Sequence, residues 1–369
     1  MILKSDEKAV FVLRELYQQY GYLPYKMSRF EEYDLYVQNK DFLVSDQVIT
    51  FSDRSGRLLA LKPDVTLSII KNAQDRKGFV QKLYYNENVY RVDTGTHAFK
   101  EIMQAGLECI GDLTECDVAE VVLLAAKSLT RISDNFVLDI SHMGLIAAAM
   151  NSCGLSESGK QQAMFFLRQK NSHELRRLCQ RELVETEVSD LLCSLVSCNG
   201  SPERVLPAIR SIFTSEKENN ALLELERICQ ILSNQGYGEN VRIDFSVGSD
   251  MKYYSGVVFK GYLPGVHTSI LSGGQYDKLL QKMGRSSSAI GFAIYLDLLE
   301  RLQPQVDGFD VDAVLLYDHA EDAATVLAAA EKLREQGSIL ICSCLPEGIT
   351  WRHLYRIQKG EAILIEHNG

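Results

Sequence analysis

The stretch Leu83-Tyr-Tyr-Asn-Glu-Asn-Val-Tyr-Arg91, followed by Gln104-Ala-Gly-Leu-Glu108, decides the fold of this chain. Residues 81–111 divide into strand-like pieces, and the polar segment Asp93-Thr-Gly-Thr-His97 separates them. Tyrosine and valine favour strands, and a short polar break that contains glycine is typical of a turn. The sequence therefore predicts strands on both sides of a polar loop.

The flanking sequence adds helices and strands around this stretch. Residues Thr114 and Asp117 have the spacing of a capping box, which predicts a long helix through about Ile132. The apolar residues after Ser5 recur at helical spacing, and Gly21 can end that helix. Further predicted elements are a hairpin at 48–51 and 58–61, a helix at 67–75, and strands at 136–140, 241–245, 256–262 and 268–271.

Three regions differ in character along the chain. Residues 143–235 are rich in leucine, glutamate, arginine and alanine at helical spacing, which predicts a helical insertion. The insertion divides a β-rich core, 1–142 and 236–303, in which Gly291 begins a helix that ends near Arg301. After a linker, 304–369 predict a small α/β unit of the parallel-sheet type, with a short helix at about 350–358 between its last two strands.

The composition limits the class of protein. Apolar residues make up 46% and charged residues 24% of the chain, as in soluble globular proteins. Its 39 basic and 49 acidic residues give a formal charge of −10, which does not attract a nucleic-acid backbone. The nine cysteines form no Cys-x-x-Cys pair, and neither a targeting segment nor an apolar run of membrane-spanning length is present. We expect a cytoplasmic protein without metal or cofactor.

Four separated segments together resemble one family. Leu61-Lys-Pro-Asp-Val-Thr66 is similar to an element of histidyl-tRNA synthetases, and the stretch from Leu83 to Glu108 is similar to motif 2 of class II synthetases. Lys252-Tyr-Tyr-Ser-Gly-Val-Val-Phe259 with Gly273-Gly-Gln-Tyr-Asp277 resembles the two histidine-specific elements, and Ala289-Ile-Gly-Phe-Ala-Ile294 resembles the start of motif 3. The segments follow the family's order over about residues 1–301, and an ordered set is far more specific than any one motif.

The resemblance implies an α+β fold with a six- or seven-stranded antiparallel sheet, flanked by helices, that holds the ligand on its face. It also implies a homodimer through motif 1, at 25–31, although Ser28 stands where the family usually has proline. The family includes non-catalytic regulatory subunits of ATP phosphoribosyltransferase, the first enzyme of histidine biosynthesis. In that group the partner is a short catalytic subunit, the assembly is a hetero-octamer, and L-histidine is the effector.

The residues that match the family's amino-acid pocket suit free histidine. Asp64, Thr66 and Gln104 would hold the ammonium, and Arg91 would hold the carboxylate. Glu108 and Tyr254 would bind the two imidazole nitrogens, with Tyr253 beside them. Taken singly, each residue has an ordinary structural explanation. If the two tyrosines lie on a strand, only one of them can face the pocket.

Several positions lack the cations that amino-acid activation needs. The chain has Leu298 and Ser249 where active synthetases carry arginines, and Gln275 replaces a third. Tyr295 replaces a glycine, and Thr94-Gly-Thr-His-Ala-Phe99 has none of the usual loop arginines. Arginines stabilise the charge that gathers at a phosphoryl centre. The pattern favours a histidine-sensing regulatory subunit over a truncated active synthetase, and over a synthetase-like protein that binds RNA or another enzyme.

Overall fold

The computed structural model describes residues 5–40, 48–74, 76–93, 95–213, 216–248, 253–302 and 309–368. The chain divides into two compact units, Met1–Leu302 and Gln303–Gly369. None of the described helices is long and apolar enough to cross a membrane. The predicted polar loop around Asp93 separates two long strands, which form the centre of the larger unit.

A nine-stranded sheet organises the larger unit, in the order β1-β5-β6-β12-β11-β10-β7-β9-β8. Its strands are β1 (Leu23–Pro24), β5 (Val80–Val92), β6 (Phe99–Gly111), β7 (Val137–His142), β8 (Asn199–Gly200), β9 (Val241–Asp244), β10 (Val257–Tyr262), β11 (Leu271–Gln275) and β12 (Ser288–Tyr295). The six strands from β5 to β7 in this order are all antiparallel, whereas β1 and β9 join them in parallel. The predicted α+β fold with an antiparallel sheet is confirmed.

Helices and a second small sheet surround the central sheet. The helices are α1 (Ser5–Gln19), α2 (Tyr33–Gln38), α3 (Thr66–Asn72), α4 (Glu115–Ile132), α5 (Met143–Ser152), α6 (Glu157–Arg168), α7 (Ser172–Arg181), α8 (Thr186–Ser197), α9 (Pro202–Arg210), α10 (Glu216–Asn234) and α11 (Asp277–Lys282). The small sheet contains β2 (Phe30–Glu32), β3 (Thr50–Ser52) and β4 (Leu58–Leu61), in the order β2-β4-β3. The predicted capping box is present at the start of α4, where Thr114 and Asp117 bond each other's backbone.

The two faces of the central sheet have different cores. On one face, Leu107 of β6 and Phe292 of β12 belong to a large apolar core with residues of α1, α4 and the helices α5–α10. On the other face, Leu83 and Tyr85 of β5 belong to a smaller core with residues of α3 and α11. This second face is less completely filled with apolar side chains and carries the polar residues described below.

The motif 3 segment is a strand rather than the start of a helix. Gly291 lies within β12, which is hydrogen-bonded to β6 on one side and to β11 on the other. A short 3₁₀ helix, Leu296–Leu302, follows the strand. The helix prediction was wrong because a fully buried strand carries apolar residues on both faces, so its sequence lacks the alternation that identifies an exposed strand.

The smaller unit contains a four-stranded sheet in the order β14-β13-β15-β16 and one described helix. These elements are β13 (Val311–Leu316), α12 (Ala323–Arg334), β14 (Ile339–Cys342), β15 (Trp351–Gln358) and β16 (Glu361–His367). The predicted helix at 350–358 was wrong, because β15 pairs with β13 on one side and β16 on the other. The parallel-sheet expectation holds for β13 with β14 and β15, but β15 and β16 are antiparallel.

Candidate binding site on the central sheet

Small residues form a floor on the second face of the central sheet. Gly106 of β6 pairs with Ala293 of β12, and Gly291 of β12 pairs with both Glu108 and Gly274. A Cβ atom on Gly291 would lie 1.7 Å from Oε2 of Glu108, and one on Gly106 would lie 2.6 Å from the Tyr85 ring. The absence of side chains at these glycines therefore makes room for the groups that line the site. We call Gly106, Ser272, Gly274, Gly291 and Ala293 the small-residue floor.

Glu108 is the buried acid at one end of this floor. Its side chain is only 2% exposed. The Thr66 hydroxyl, at the start of α3, donates to Oε1 over 2.8 Å, and the Tyr276 hydroxyl donates to Oε2. Burial raises the pKa of Glu108 from its usual 4.5 to about 8, although these two hydrogen bonds act in the opposite direction. The protein thus holds a carboxyl group in one orientation, where a ligand can exchange a proton or hydrogen bond with it.

Asp64 and Arg91 are neighbours beside α3. Oδ1 of Asp64 accepts a hydrogen bond from the backbone N–H of Leu67 over 2.9 Å, so the carboxylate stabilises the start of that helix. Burial raises the pKa of Asp64, and the positive charge of Arg91 partly opposes this shift. Nε of Arg91 donates to the carbonyl of Pro63 over 3.1 Å. An acid and a cation therefore lie side by side near the site.

Both tyrosines of the Tyr253-Tyr254 pair face the site. They precede β10 and lie outside any strand, so the alternation that would let only one of them face the pocket does not apply. Their ring centroids are 4.5 Å apart, and the Tyr253 centroid is 5.9 Å from that of Tyr276. A Cβ atom on Gly274 would lie 2.8 Å from the Tyr254 ring. Successive side chains must alternate between the two faces only within a pleated strand, so outside one both rings can point to the same side.

Gln104 lies on the same face as Glu108, four residues earlier on β6. It is 3% exposed and pairs directly with Glu87 of β5 and Tyr295 of β12. Glu87 forms an ion pair with Lys62, whose side chain is only 1% exposed. Three polar side chains therefore cross the sheet in one row at this end of the floor.

The structure brings most of the predicted residues together around the floor. Thr66, Glu108, Tyr253 and Tyr254 are close neighbours, since Thr66 bonds Glu108 and both tyrosines interact electrostatically with that acid. The contacts of Arg91 place it next to Asp64. The sequence interpretation missed Tyr276, although it belongs to the quoted Gly-Gly-Gln-Tyr-Asp segment, and it missed Tyr85. The roles of the individual residues in binding remain predictions.

Two of the positions that lack arginine, Leu298 and Gln275, have structural roles in this chain. Leu298 is half-buried and packs against the large apolar core. Oε1 of Gln275 accepts a hydrogen bond from the backbone N–H of Val257 over 2.8 Å. Ser249 and Thr94 lie outside the described residues. In the described part of the chain, no group of three or more histidine, cysteine or acidic side chains is arranged to hold a metal ion.

Comparison with known proteins gives a consistent result. The family model described as histidyl-tRNA synthetase matches residues 3–299. An ATP phosphoribosyltransferase regulatory subunit from Caldanaerobacter subterraneus subsp. tengcongensis is 31% identical, over 89% of this chain and 87% of the relative. One from Acetivibrio thermocellus is 28% identical, over 88% of this chain and 79% of the relative.

A solved structure shares the fold. A protein from Bacillus halodurans, described as an ATP phosphoribosyltransferase regulatory subunit/histidyl-tRNA synthetase, superposes with a TM-score of 0.76 at 27% identity. The superposition covers 91% of this chain and 88% of that one. The match extends over nearly the whole of both chains, so it includes the sheet that carries the site. The chain belongs to the histidyl-tRNA synthetase family and, within it, to the ATP phosphoribosyltransferase regulatory subunits.

Proposed function

We propose that this chain is a non-catalytic, cytoplasmic regulatory subunit of ATP phosphoribosyltransferase that binds free L-histidine on the face of its central sheet. The names of its relatives support the regulatory role. The observation that carries the ligand is the buried Glu108, held between Thr66 and Tyr276 above the small-residue floor. A buried acid that is oriented by two donors suits a ligand with ring N–H groups.

Each group of histidine has a complementary partner at the site. Glu108 binds one imidazole nitrogen and the hydroxyl of Tyr254 binds the other, while Tyr253 packs beside the ring. The ammonium lies near Asp64, Thr66 and Gln104, and the carboxylate pairs with Arg91. A cationic or N–H-donating ring favours the ionised form of Glu108, so histidine lowers the raised pKa of this carboxyl group when it binds.

We infer that amino-acid activation has been lost, because positions that carry cations in active synthetases carry uncharged residues here. Leu298 contributes to the apolar core, and Gln275 bonds the backbone of Val257. Neither residue can neutralise the phosphates of ATP as arginine does. The alternative is an active histidyl-tRNA synthetase, which the description of the matching family model favours. That alternative would require arginines at the positions where active synthetases carry them.

The partner in this proposal is a short catalytic ATP phosphoribosyltransferase subunit, and homodimers of this chain are part of a hetero-octamer. Histidine regulates the assembly by linkage, since it must bind the inhibited state more tightly than the active state. The formal charge of −10 disfavours an RNA partner. A protein partner accounts for a synthetase-like chain that retains the amino-acid pocket without the activation chemistry.

Two assays test the proposal. The rate of the purified catalytic subunit is measured alone, with this chain, and with this chain plus histidine. We expect activation by the chain and inhibition by histidine. The chain is also assayed for histidine-dependent exchange of labelled pyrophosphate into ATP. Robust exchange would establish an active synthetase, and an unchanged transferase rate would refute the regulatory role.

A further inference from the structure

We propose that Glu87, Gln104 and Tyr295 form an end wall that limits the site to free histidine and excludes ligands extended from the carboxyl group. This inference rests on the proposed histidine site and adds a size limit to it. The end wall is the row of three side chains that crosses β5, β6 and β12 at the end of the small-residue floor opposite Glu108.

The strand register sets the position of the wall. Gln104 is directly opposite Glu87 on one side and Tyr295 on the other, so the three residues form a continuous row. Gln104 and Glu108 are four residues apart on β6 and therefore face the same side of the sheet. At about 3.3 Å per residue, their Cα atoms are roughly 13 Å apart.

Two side chains of the row, those of Glu87 and Gln104, are held in place. Glu87 pairs with the buried Lys62, and its Oε1 also accepts a hydrogen bond from the backbone N–H of Met27 over 3.5 Å. Gln104 is almost fully buried. Exposed side chains keep their rotamer freedom, whereas buried or paired side chains lose it. The paired carboxylate of Glu87 and the buried amide of Gln104 therefore keep their positions at this boundary.

Tyr295 stands at the end of the floor, on the face of the sheet that carries the site. It is half-buried, and its pairing with Gln104 places it on the same face as Gly291. After burial, the electrostatic influence of Tyr295 is the next largest cause that raises the pKa of Tyr254, and Tyr295 also contributes for Tyr85. In the strand register, Tyr295 stands one same-face row along the sheet from Tyr85, which lines the histidine pocket.

The wall stands where an extended ligand would have to pass. With the ring at Glu108 and the ammonium near Gln104, the histidine carboxyl group ends at the row. The Arg91 side chain, from a position four residues beyond Glu87 on β5, reaches the carboxyl group there. The roughly 13 Å between the two Cα positions, reduced by the side chains at both ends, accommodates one amino acid. A nucleotide or a bulky amide attached to the carboxyl group would overlap with Tyr295, and overlap in a packed site is strongly unfavourable.

Calorimetry on the full-length chain tests the wall with two ligands, L-histidine and 5′-O-[N-(L-histidyl)sulfamoyl]adenosine. The wild-type chain should bind histidine and should bind the adenosine conjugate at least about 100-fold more weakly, which corresponds to about 2.7 kcal/mol. Tyr295→Ala should recover most of that factor. Tyr295→Phe, which keeps the ring and removes only the hydroxyl, should discriminate as the wild type does.

Each outcome has a defined meaning. If the wild type binds both ligands equally, or if folded Tyr295→Ala gains no affinity for the conjugate, the wall is wrong while the histidine site stands. If no folded protein binds histidine, the proposed site fails and the wall fails with it. If circular dichroism shows that Tyr295→Ala is unfolded, wild-type affinities for histidinamide and N-benzyl histidinamide decide. Both ligands lack the carboxylate charge and differ only in the benzyl group. Equal affinities for the two would therefore contradict the end wall.

Discussion

The carboxylate of Glu108 lies directly over the backbone of Gly291, its cross-strand partner. The two residues are in register on β6 and β12, and a Cβ atom at 291 would lie 1.7 Å from Oε2. The site therefore depends as much on a missing side chain as on the acid itself. No real contact is that short, so any larger residue at 291 must displace Glu108 or the strand.

Gly291→Ala should destabilise the protein and abolish histidine binding. The added methyl group would also lie 2.5 Å from the carbonyl oxygen of Leu107, which cannot move freely because it is backbone. Overpacking of this kind costs roughly 1–3 kcal/mol, which urea unfolding would measure. Gly95→Ala is a suitable control, because its methyl group would meet only the Asp93 carboxylate at 3.4 Å. Normal histidine affinity in Gly291→Ala would contradict the placement of the ligand over this floor.

Glu108→Gln should weaken histidine binding without unfolding the protein. The substitution keeps the size of the side chain but removes the charge that an imidazole N–H group or imidazolium prefers. Loss of one partner in a buried charged hydrogen bond costs about 2–5 kcal/mol, which calorimetry would detect as a loss of at least about 30-fold. Glu101→Gln is the matched control, since Glu101 is exposed on the same strand. Unchanged affinity would refute the proposed imidazole contact.

The stability of the empty protein should fall as pH rises through the range set by Glu108. Its folded-state pKa of about 8 is above the usual 4.5, so the folded state keeps a proton that the unfolded chain releases. The contribution of this group is fully present below about pH 4.5 and is lost as pH rises to about 8. Urea unfolding at several pH values should show that Glu108→Gln gains stability relative to wild type along this range. If the difference in unfolding free energy between the two proteins does not change with pH, the raised pKa of Glu108 is disproved.

The ion pair of Lys62 and Glu87 predicts unequal effects for its two members. Lys62 is 1% exposed, whereas Glu87 is 16% exposed. Glu87→Gln leaves a buried charge without its partner and should cost roughly 3–5 kcal/mol of unfolding free energy. The double substitution Lys62→Met with Glu87→Gln removes both charges and should restore much of that loss. If the double variant is less stable than Glu87→Gln alone, the buried charge is not the cause.

Leu298→Arg should not convert the chain into a synthetase. Leu298 packs against the large core, so an arginine there disrupts apolar packing and should cost roughly 1–3 kcal/mol. Leu298→Met, a volume-conserving control, should cost less than about 1.5 kcal/mol. Pyrophosphate exchange should be undetectable in both variants. Exchange in Leu298→Arg would show that one residue alone separates this chain from an active synthetase.

Local sequence was sufficient for several elements because their signals act over a few residues. The Thr114 and Asp117 capping box forms within four residues, and both of its bonds are present. The strands on either side of the loop at Asp93 follow from β-forming residues and a polar break, and β5 and β6 pair along their whole length. The ordered motifs also predicted the antiparallel sheet and the family.

Tertiary pairing decided the elements that local sequence assigned wrongly. Residues 351–358 form a strand because β13 and β16 supply hydrogen bonds on both sides. β16 follows through the two-residue turn at Lys359 and Gly360, both with positive φ, whereas β13 lies far earlier in the chain and no local pattern can show that pairing. Gly291 and its neighbours form a central strand for the same reason. Side-chain packing in a sheet depends on cross-strand neighbours, so strand propensity depends more on context than helix propensity does.

The sequence by itself determined the chemistry of the site, namely an acid, an amide, hydroxyl groups and a cation that suit histidine. Only the tertiary structure placed Tyr276 on Glu108, at a separation of 168 residues, and Tyr295 beside Gln104. It also turned both Tyr253 and Tyr254 toward the floor, because they lie before β10 and outside any strand. Motifs specify which groups are available, whereas strand register and chain reversal specify which of them meet, since those contacts join residues far apart in sequence.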